Sequence, residues 1–184
     1  MPDTLALWHA DHVNFGKLLD LLEAQVGLFH DGGSPDYELL LDIMYYMTHY
    51  PDVLHHPKED LVFAKIRERD GTSAAKIDRL LQQHVTLKAC GEQLVRDLDD
   101  IVNGSILSRD RIEATAREYL ATFRNHMHAE EIEILPLANQ LLRQKDWAAI
   151  DAAISHIEDP LFGPRTDERY ASLAQQIARE AKAQ

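Results

Sequence analysis

A chain of 184 residues, 45% hydrophobic and 27% charged, has enough apolar mass for a soluble domain with a substantial core. Its formal net charge of −12, unrelieved by any basic patch, argues against nucleic acid and anionic membranes as partners and suits multivalent cations. Cys90 is the only cysteine, which excludes an intramolecular disulfide and a thiolate metal site; without a signal-like or bilayer-spanning apolar run, a cytoplasmic address is expected.

Scarce, clustered glycine and proline, with abundant Leu, Ala, Glu, Asp and Arg, predict an all-helical chain. The first helix starts at Asp3 or Thr4 and ends near His30, before Asp31-Gly32-Gly33-Ser34-Pro35. Leu5, Trp8, His12, Phe15, Leu19, Leu22, Val26 and Phe29 recur by threes and fours, so one histidine sits in the inward seam.

Ser34-Pro35 reads as the cap and first residue of a second helix, carrying Leu39, Leu40, Ile43, Met44 and Met47 inward until Pro51 and Pro57 disturb its phase. Counted back from the undisturbed end, Ile66, Val62, Glu59 and His55 form the inward stripe. Arg67, Phe63, Asp60 and His56 form a more polar one beside it.

A turn at Arg69–Ser73 leads to a third helix closed by Asn103-Gly104, with Ile77, Leu80, His84, Leu87, Gly91, Leu94, Leu98 and Ile101 on one face. Ser108 caps a fourth, whose inward stripe is Ile112, Ala116, Tyr119, Phe123, His126, Glu130, Ile134, Leu137 and Leu141, with a kink at Pro136. Asp146 caps a shorter helix to about Ser155, and after a Pro/Gly linker a last amphipathic helix covers Thr166 to Ala183. Short turns make the first four helices antiparallel neighbours in an up-down-up-down four-helix bundle over residues 1–145, with a two-helix extension over 146–184 packed on it.

Two stretches carry the chemistry, His55-His56-Pro57-Lys58-Glu59-Asp60 and His126-Met127-His128-Ala129-Glu130-Glu131. In each, a histidine precedes a glutamate by four residues, which stacks imidazole and carboxylate on one helix face. Chance alone would give about 1.7 such His/acid pairs at this composition. The position of these pairs on inward stripes therefore matters more than their number. The bundle brings His12, His55, His84, His126, Glu59 and Glu130 to one level of its core, where unpaired polar groups would cost several kcal/mol. Two facing carboxylates can bridge two cations while imidazoles cap the outer positions, a donor set suited to iron, manganese or zinc.

One histidine on the first helix, His-x-x-x-Glu on the second, a histidine on the third and His-x-x-x-Glu on the fourth resembles the hemerythrin-like, or HHE cation-binding, domain. HHPKED and HMHAEEIEILP are close to that family's two signature segments. The resemblance covers about residues 4–143, and Asp146 to Phe162 is similar to a bacterial single-domain subgroup. It implies a non-haem di-iron centre, with Glu59 and Glu130 bridging and His12, His55, His84 and His126 as terminal ligands. It also implies a small diatomic or peroxide ligand.

The chain departs from the oxygen carriers of that family in two ways. They have His-x-x-x-His on the third helix, whereas Leu80 and Lys88 flank His84 here, and their last ligand is an aspartate, here Glu130. A missing imidazole would leave one iron an open position, favouring reaction with, or sensing of, O2, peroxide or NO over stable oxygen carriage. His9, His49 and His56 are alternative sources of a fifth histidine. Competing expectations are an iron storage or delivery protein serving the repair of iron centres, and a metal-free structural bundle that could form a homodimer through its last helix.

Overall fold

In the computed structural model, which describes residues 4–154 and 157–183, all regular structure is helical. The α-helices are α1 (Thr4–His30), α2 (Tyr37–His49), α3 (His56–Arg69), α4 (Ala74–Val102), α5 (Arg109–Ala129), α6 (Leu135–Leu141), α7 (Gln144–Ala153) and α8 (Ala171–Ala183). One-turn π-helical segments at Pro51–His55 and Glu130–Ile134 join α2 to α3 and α5 to α6. Four long rods result, namely α1, α2 with α3, α4, and α5 with α6. Each rod packs on its neighbours around the bundle, with α1 against α2 and α5, and α4 against α2, α3 and α5.

Three of the expected caps are corrected by the structure: Ser108 precedes α5 but makes no side-chain bond to it. Asp36, not Ser34, caps α2, its carboxylate accepting from the Leu39 N–H at 3.0 Å. Asp146 lies inside the first turn of α7 instead of capping it, and accepts from the Arg143 N–H at 2.7 Å and from Arg69 at 2.6 Å. Asn103 closes α4, and Gly104 takes the φ of +92° that a side chain would disfavour. Asp3 as a cap and Ser155 as a helix end lie outside the described residues.

Both π turns stand immediately before a proline. Pro57 and Pro136 have no N–H to give. The residue before each donates five residues back, His56 to the Pro51 carbonyl and Leu135 to the Glu130 carbonyl. One extra residue in a turn rotates everything around it by about 100°. Beyond the second turn the buried residues are accordingly Leu135, Ala138 and Leu142, while Leu137 and Leu141 of the expected stripe are only half-buried. The expected polar stripe of α3, all of it beyond the first turn, divides between core and solvent: His56 and Phe63 are buried, and Asp60 and Arg67 are exposed.

The core is two apolar clusters with a polar layer between them. One contains Phe15, Leu19, Met44, Met47, Leu87, Tyr119 and Phe123; the other contains Trp8, Val62, Phe63, Ile66, Leu80 and Ile134. Each rod passes from one cluster to the other through its own polar residues. These are His12 on α1, His55, His56 and Glu59 around the start of α3, His84 on α4, and His126 and Glu130 around the end of α5.

The C-terminal helices pack on this frame. α7 lies against α3, and α8 lies against α1 and α2. Leu161, Tyr170 and Leu173 join the first apolar cluster. Asp159 ties the connection down, accepting from the Tyr46 hydroxyl at 2.8 Å and from the Leu161 and Phe162 N–H groups.

Candidate metal centre

Five imidazoles and two carboxylates meet in the polar layer. His12, His55, His56, His84, His126, Glu59 and Glu130 are all buried, and Glu130 is fully inaccessible. The donor atoms of His12, His55 and Glu59 lie within 4.8 Å of one another, as do those of His56, Glu59, His84 and His126. Glu59 belongs to both groups because its two oxygens face opposite ways. Oε1 is 2.6 Å from His55 Nε2 and 3.6 Å from His12 Nε2, and Oε2 is 3.3 Å from His84 Nε2 and 3.8 Å from His126 Nε2. Glu130 spans the same gap, with Oε2 3.3 Å from both His12 Nε2 and His126 Nε2.

Each ring is held from outside through Nδ1, so its Nε2 faces the middle. His12 meets Glu131 at 2.8 Å, His55 meets Asp11 at 2.9 Å, His56 meets Asp52 at 3.0 Å and His84 meets Asp60 at 2.8 Å. His126 meets the Gln83 side-chain oxygen at 3.3 Å. A carbonyl or carboxylate behind the ring fixes the tautomer and raises the basicity of the nitrogen in front, as around metal-binding histidines generally.

Protons alone do not satisfy this layer. His55 Nε2, His56 Nε2 and all four oxygens of Glu59 and Glu130 are buried without a well-formed hydrogen bond, close though several of these atoms are to one another. Burial opposes charge on His12, yet Glu130 and Glu59 outweigh it and lift its pKa to about 10. Burial likewise opposes charge on His55 and His84, but Glu59 beside the first raises it to about 9, and Asp60 with Glu59 raises the second to about 10. Burial prevails at His126, lowered to about 4, and at His56, also lowered. Burial and the neighbouring Glu59 push Glu130 up, whereas Glu59, despite its burial, is pulled well down by the imidazoles around it.

A proton on His12 Nε2 would confront the indole N–H of Trp8, which points at that nitrogen from 3.0 Å. His84 and His126 present their Nε2 atoms to each other at 3.0 Å, so they share at most one proton. Cations placed among these atoms would compensate both carboxylates and use every inward lone pair. The donor set of neutral nitrogens and carboxylate oxygens suits a transition ion.

All six residues of the sequence expectation meet here, and His56 joins them as a fifth imidazole, stacked on His84. It lies in α3 three residues before Glu59 and seven before Phe63, on a buried face wider than the single expected stripe. His49 and His9 stay out. His49 is exposed and stacks on Tyr45 with ring centroids 3.7 Å apart; His9 has a 61% exposed side chain and touches Glu131 at 2.9 Å. Sequence reasoning missed Asp11, Asp52 and Gln83, which hold three of the rings. Nothing in their spacing from the inward stripes marks them out from solvated surface.

Among the described residues no helix is long and apolar enough to cross a membrane. No curated protein matches the chain. The sequence model of the family described as Hemerythrin HHE cation binding domain matches residues 3–138, well over half of the chain. Both His-x-x-x-Glu pairs, His12 and His84 fall inside that stretch, and the chain belongs to the hemerythrin HHE cation-binding family.

Proposed function

We propose that this protein holds a non-haem di-iron centre that binds, senses or reacts with O2, peroxide or NO. The observation that carries the reading is the cluster of five buried Nε2 atoms around two buried carboxylates, of which His55 Nε2, His56 Nε2 and all four carboxylate oxygens lack a hydrogen bond. In this reading His12 and His55 hold one ion, His56, His84 and His126 hold the other, and Glu59 and Glu130 bridge. Manganese or zinc fits the same donors. A pair of adjacent irons supplies two coupled one-electron changes and, on the ion with fewer protein ligands, room for a small ligand.

The chain's own residues supply the rest. Asp11, Asp52, Asp60, Glu131 and Gln83 fix the rings before a cation arrives, so little ordering entropy is lost on binding. Phe63 and Phe123 pack against His84 and His56 and keep bulk water from the three-histidine side. A pocket lined by Thr4, Leu7, Trp8, Asp11, His55, Lys58 and Glu59 opens on the two-histidine side. The open position would follow from the unequal division of five imidazoles, because His56 makes up for the one that α4 lacks.

The same pocket favours iron delivery as a second reading, since a chelator or an acceptor site could draw an ion out past His55. Elemental analysis of protein expressed in iron-replete medium, with Glu130→Ala in parallel, tests the first reading. Two-metal occupancy gives about two irons per chain, lost in the variant; a protein that takes up no transition ion ends the reading. Rapid, complete release of iron to a chelator supports delivery.

A further inference from the structure

Trp8 stands against both imidazoles of the two-histidine group. Its ring packs edge-on to each, with centroids 6.3 Å from His12 and 6.1 Å from His55, and it is 5% exposed. Its N–H does not point toward a carbonyl or solvent. It donates to His12 Nε2 at 3.0 Å, the atom that turns toward Glu59 and Glu130. That nitrogen has one lone pair. A cation that takes it leaves the indole N–H without an acceptor, in a buried setting where an unmade hydrogen bond is costly.

The space beside Trp8 is the pocket that reaches His55 and Glu59. Two further donors line it, the Thr4 hydroxyl and the Lys58 ammonium, both now turned to Asp151 on α7 at 3.5 Å and 2.7 Å. The Asp11 carboxylate on its wall is engaged by His55 Nδ1. Lys58 keeps ammonium N–H groups beyond the one given to Asp151, Asp11 is engaged by His55, and Glu59 would be turned to the cations once they are bound. An incoming group would therefore meet the N–H groups of Lys58 and Trp8, an arrangement that selects a small ligand carrying a negative charge or a strong acceptor atom.

Resting on the di-metal reading above, we propose that Trp8 is the recognition residue for an exogenous small anion at the two-histidine side. Without a cation its N–H covers His12 Nε2; with a cation there, the same N–H is donated to the acceptor atom of an anion admitted through the α1/α3 pocket. Trp8 acts on the ligand and does not hold the metal.

The test uses the full chain loaded with iron, with azide as the anionic probe of the ferric form and NO as a smaller uncharged probe of the ferrous form, in wild type, Trp8→Phe and Trp147→Phe. Trp8→Phe keeps an aromatic ring and removes the N–H. The expected result is unchanged iron content, azide affinity lowered about tenfold, as for loss of a hydrogen bond to a charged acceptor, and NO affinity within about twofold of wild type. Trp147→Phe should match wild type in all three.

In the metal-free Trp147→Phe protein, Trp8 emission should shift when zinc is added and shift again with azide, as the N–H changes acceptor. Unchanged azide affinity in Trp8→Phe overturns the proposal and leaves the di-metal reading intact. Equal losses for azide and NO, or loss of iron from Trp8→Phe, overturn it in favour of a packing role. A wild-type chain that takes up neither iron nor zinc overturns both readings.

Discussion

His56 and His84 lie face to face, their ring centroids 4.4 Å apart and their planes 17° from parallel, although they come from different rods. Asp52 stands 3.0 Å behind the His56 ring, and Asp60 is hydrogen-bonded to the His84 ring from outside. The stack delivers two imidazole nitrogens to the same side of Glu59.

That stack gives the first prediction. His56→Ala should lower iron content by about half, as should His84→Ala, because each removes an imidazole from the same three-histidine group. His49→Ala should leave iron content at the wild-type level. Elemental analysis of the three variants decides it, and a His56→Ala protein with full iron would return His56 to a packing role.

The residues behind the rings should matter nearly as much. Asp11→Asn and Asp60→Asn keep size and replace a carboxylate that orients His55 or His84. Each should weaken metal affinity by about 10-fold to 100-fold. Competition against a chelator of known affinity measures the change, and wild-type affinity in both variants would show that these contacts do not prepare the site.

The metal-free protein should lose stability as pH rises. His55 and His84 have folded pKa values raised to about 9 and 10 against an ordinary 6.5, whereas the Trp8 N–H keeps His12 Nε2 an acceptor. A raised pKa means that the folded state holds the proton more tightly, so this stabilisation is complete below about pH 6.5 and is lost through about pH 9–10. Glu130, also raised, acts in the same direction. Metal must displace these protons, so metal affinity should climb over the same range. Urea unfolding of metal-free protein at about pH 6.5, 8 and 9.5, beside zinc competition at each pH, tests both signs; a flat stability profile would contradict them.

Gly91 sits where α4 meets α2 and α5. A Cβ there would lie 2.8 Å from Thr48 Cγ2 and 3.3 Å from the Tyr119 ring. Gly91→Ala gains about 1 kcal/mol of helix propensity, but overpacking a filled core costs about 1–3 kcal/mol. The Thr48 hydroxyl bonds to the Met44 carbonyl at 2.9 Å, which resists rotation of the methyl out of the way. The variant should be less stable in urea than wild type, and a stabilised protein would show that Thr48 yields freely.

Tyr46 anchors the C-terminal connection. Tyr46→Phe removes the hydroxyl that Asp159 accepts and should cost about 1.5–3 kcal/mol, the range for a hydrogen bond to a charged group. Hydrogen exchange at Leu161 and Phe162, whose N–H groups share that carboxylate, should quicken; unchanged exchange would place the anchor elsewhere.

The helical class, the inward seams and six of the seven central side chains were legible from the amino-acid order. Apolar residues at threes and fours must share a face wherever the helix is regular, and His12, His84 and the two His/Glu pairs stand in those seams. The rest depended on tertiary structure. Pro57 and Pro136 each leave a gap in the helical bonding that a π turn bridges. The residue added before Pro136 moves burial from Leu137 and Leu141 to Leu135, Ala138 and Leu142, and the buried face of α3 is wide enough to take in His56 beside Glu59.

Among the groups behind the imidazoles, Asp11, Asp52 and Gln83 were hidden in the chain order. Asp11, Asp52, Asp60, Gln83 and Glu131 sit beside the seams, at positions that read as solvated surface. Four of the five rings they hold are reached across a gap between rods, and the fifth, His56, is reached around a turn whose phase had shifted. Sequence periodicity reports which side of a helix is apolar. Which polar atoms meet across the bundle depends on the rotation and depth of each rod, and those are set by packing the two apolar clusters on either side of the layer.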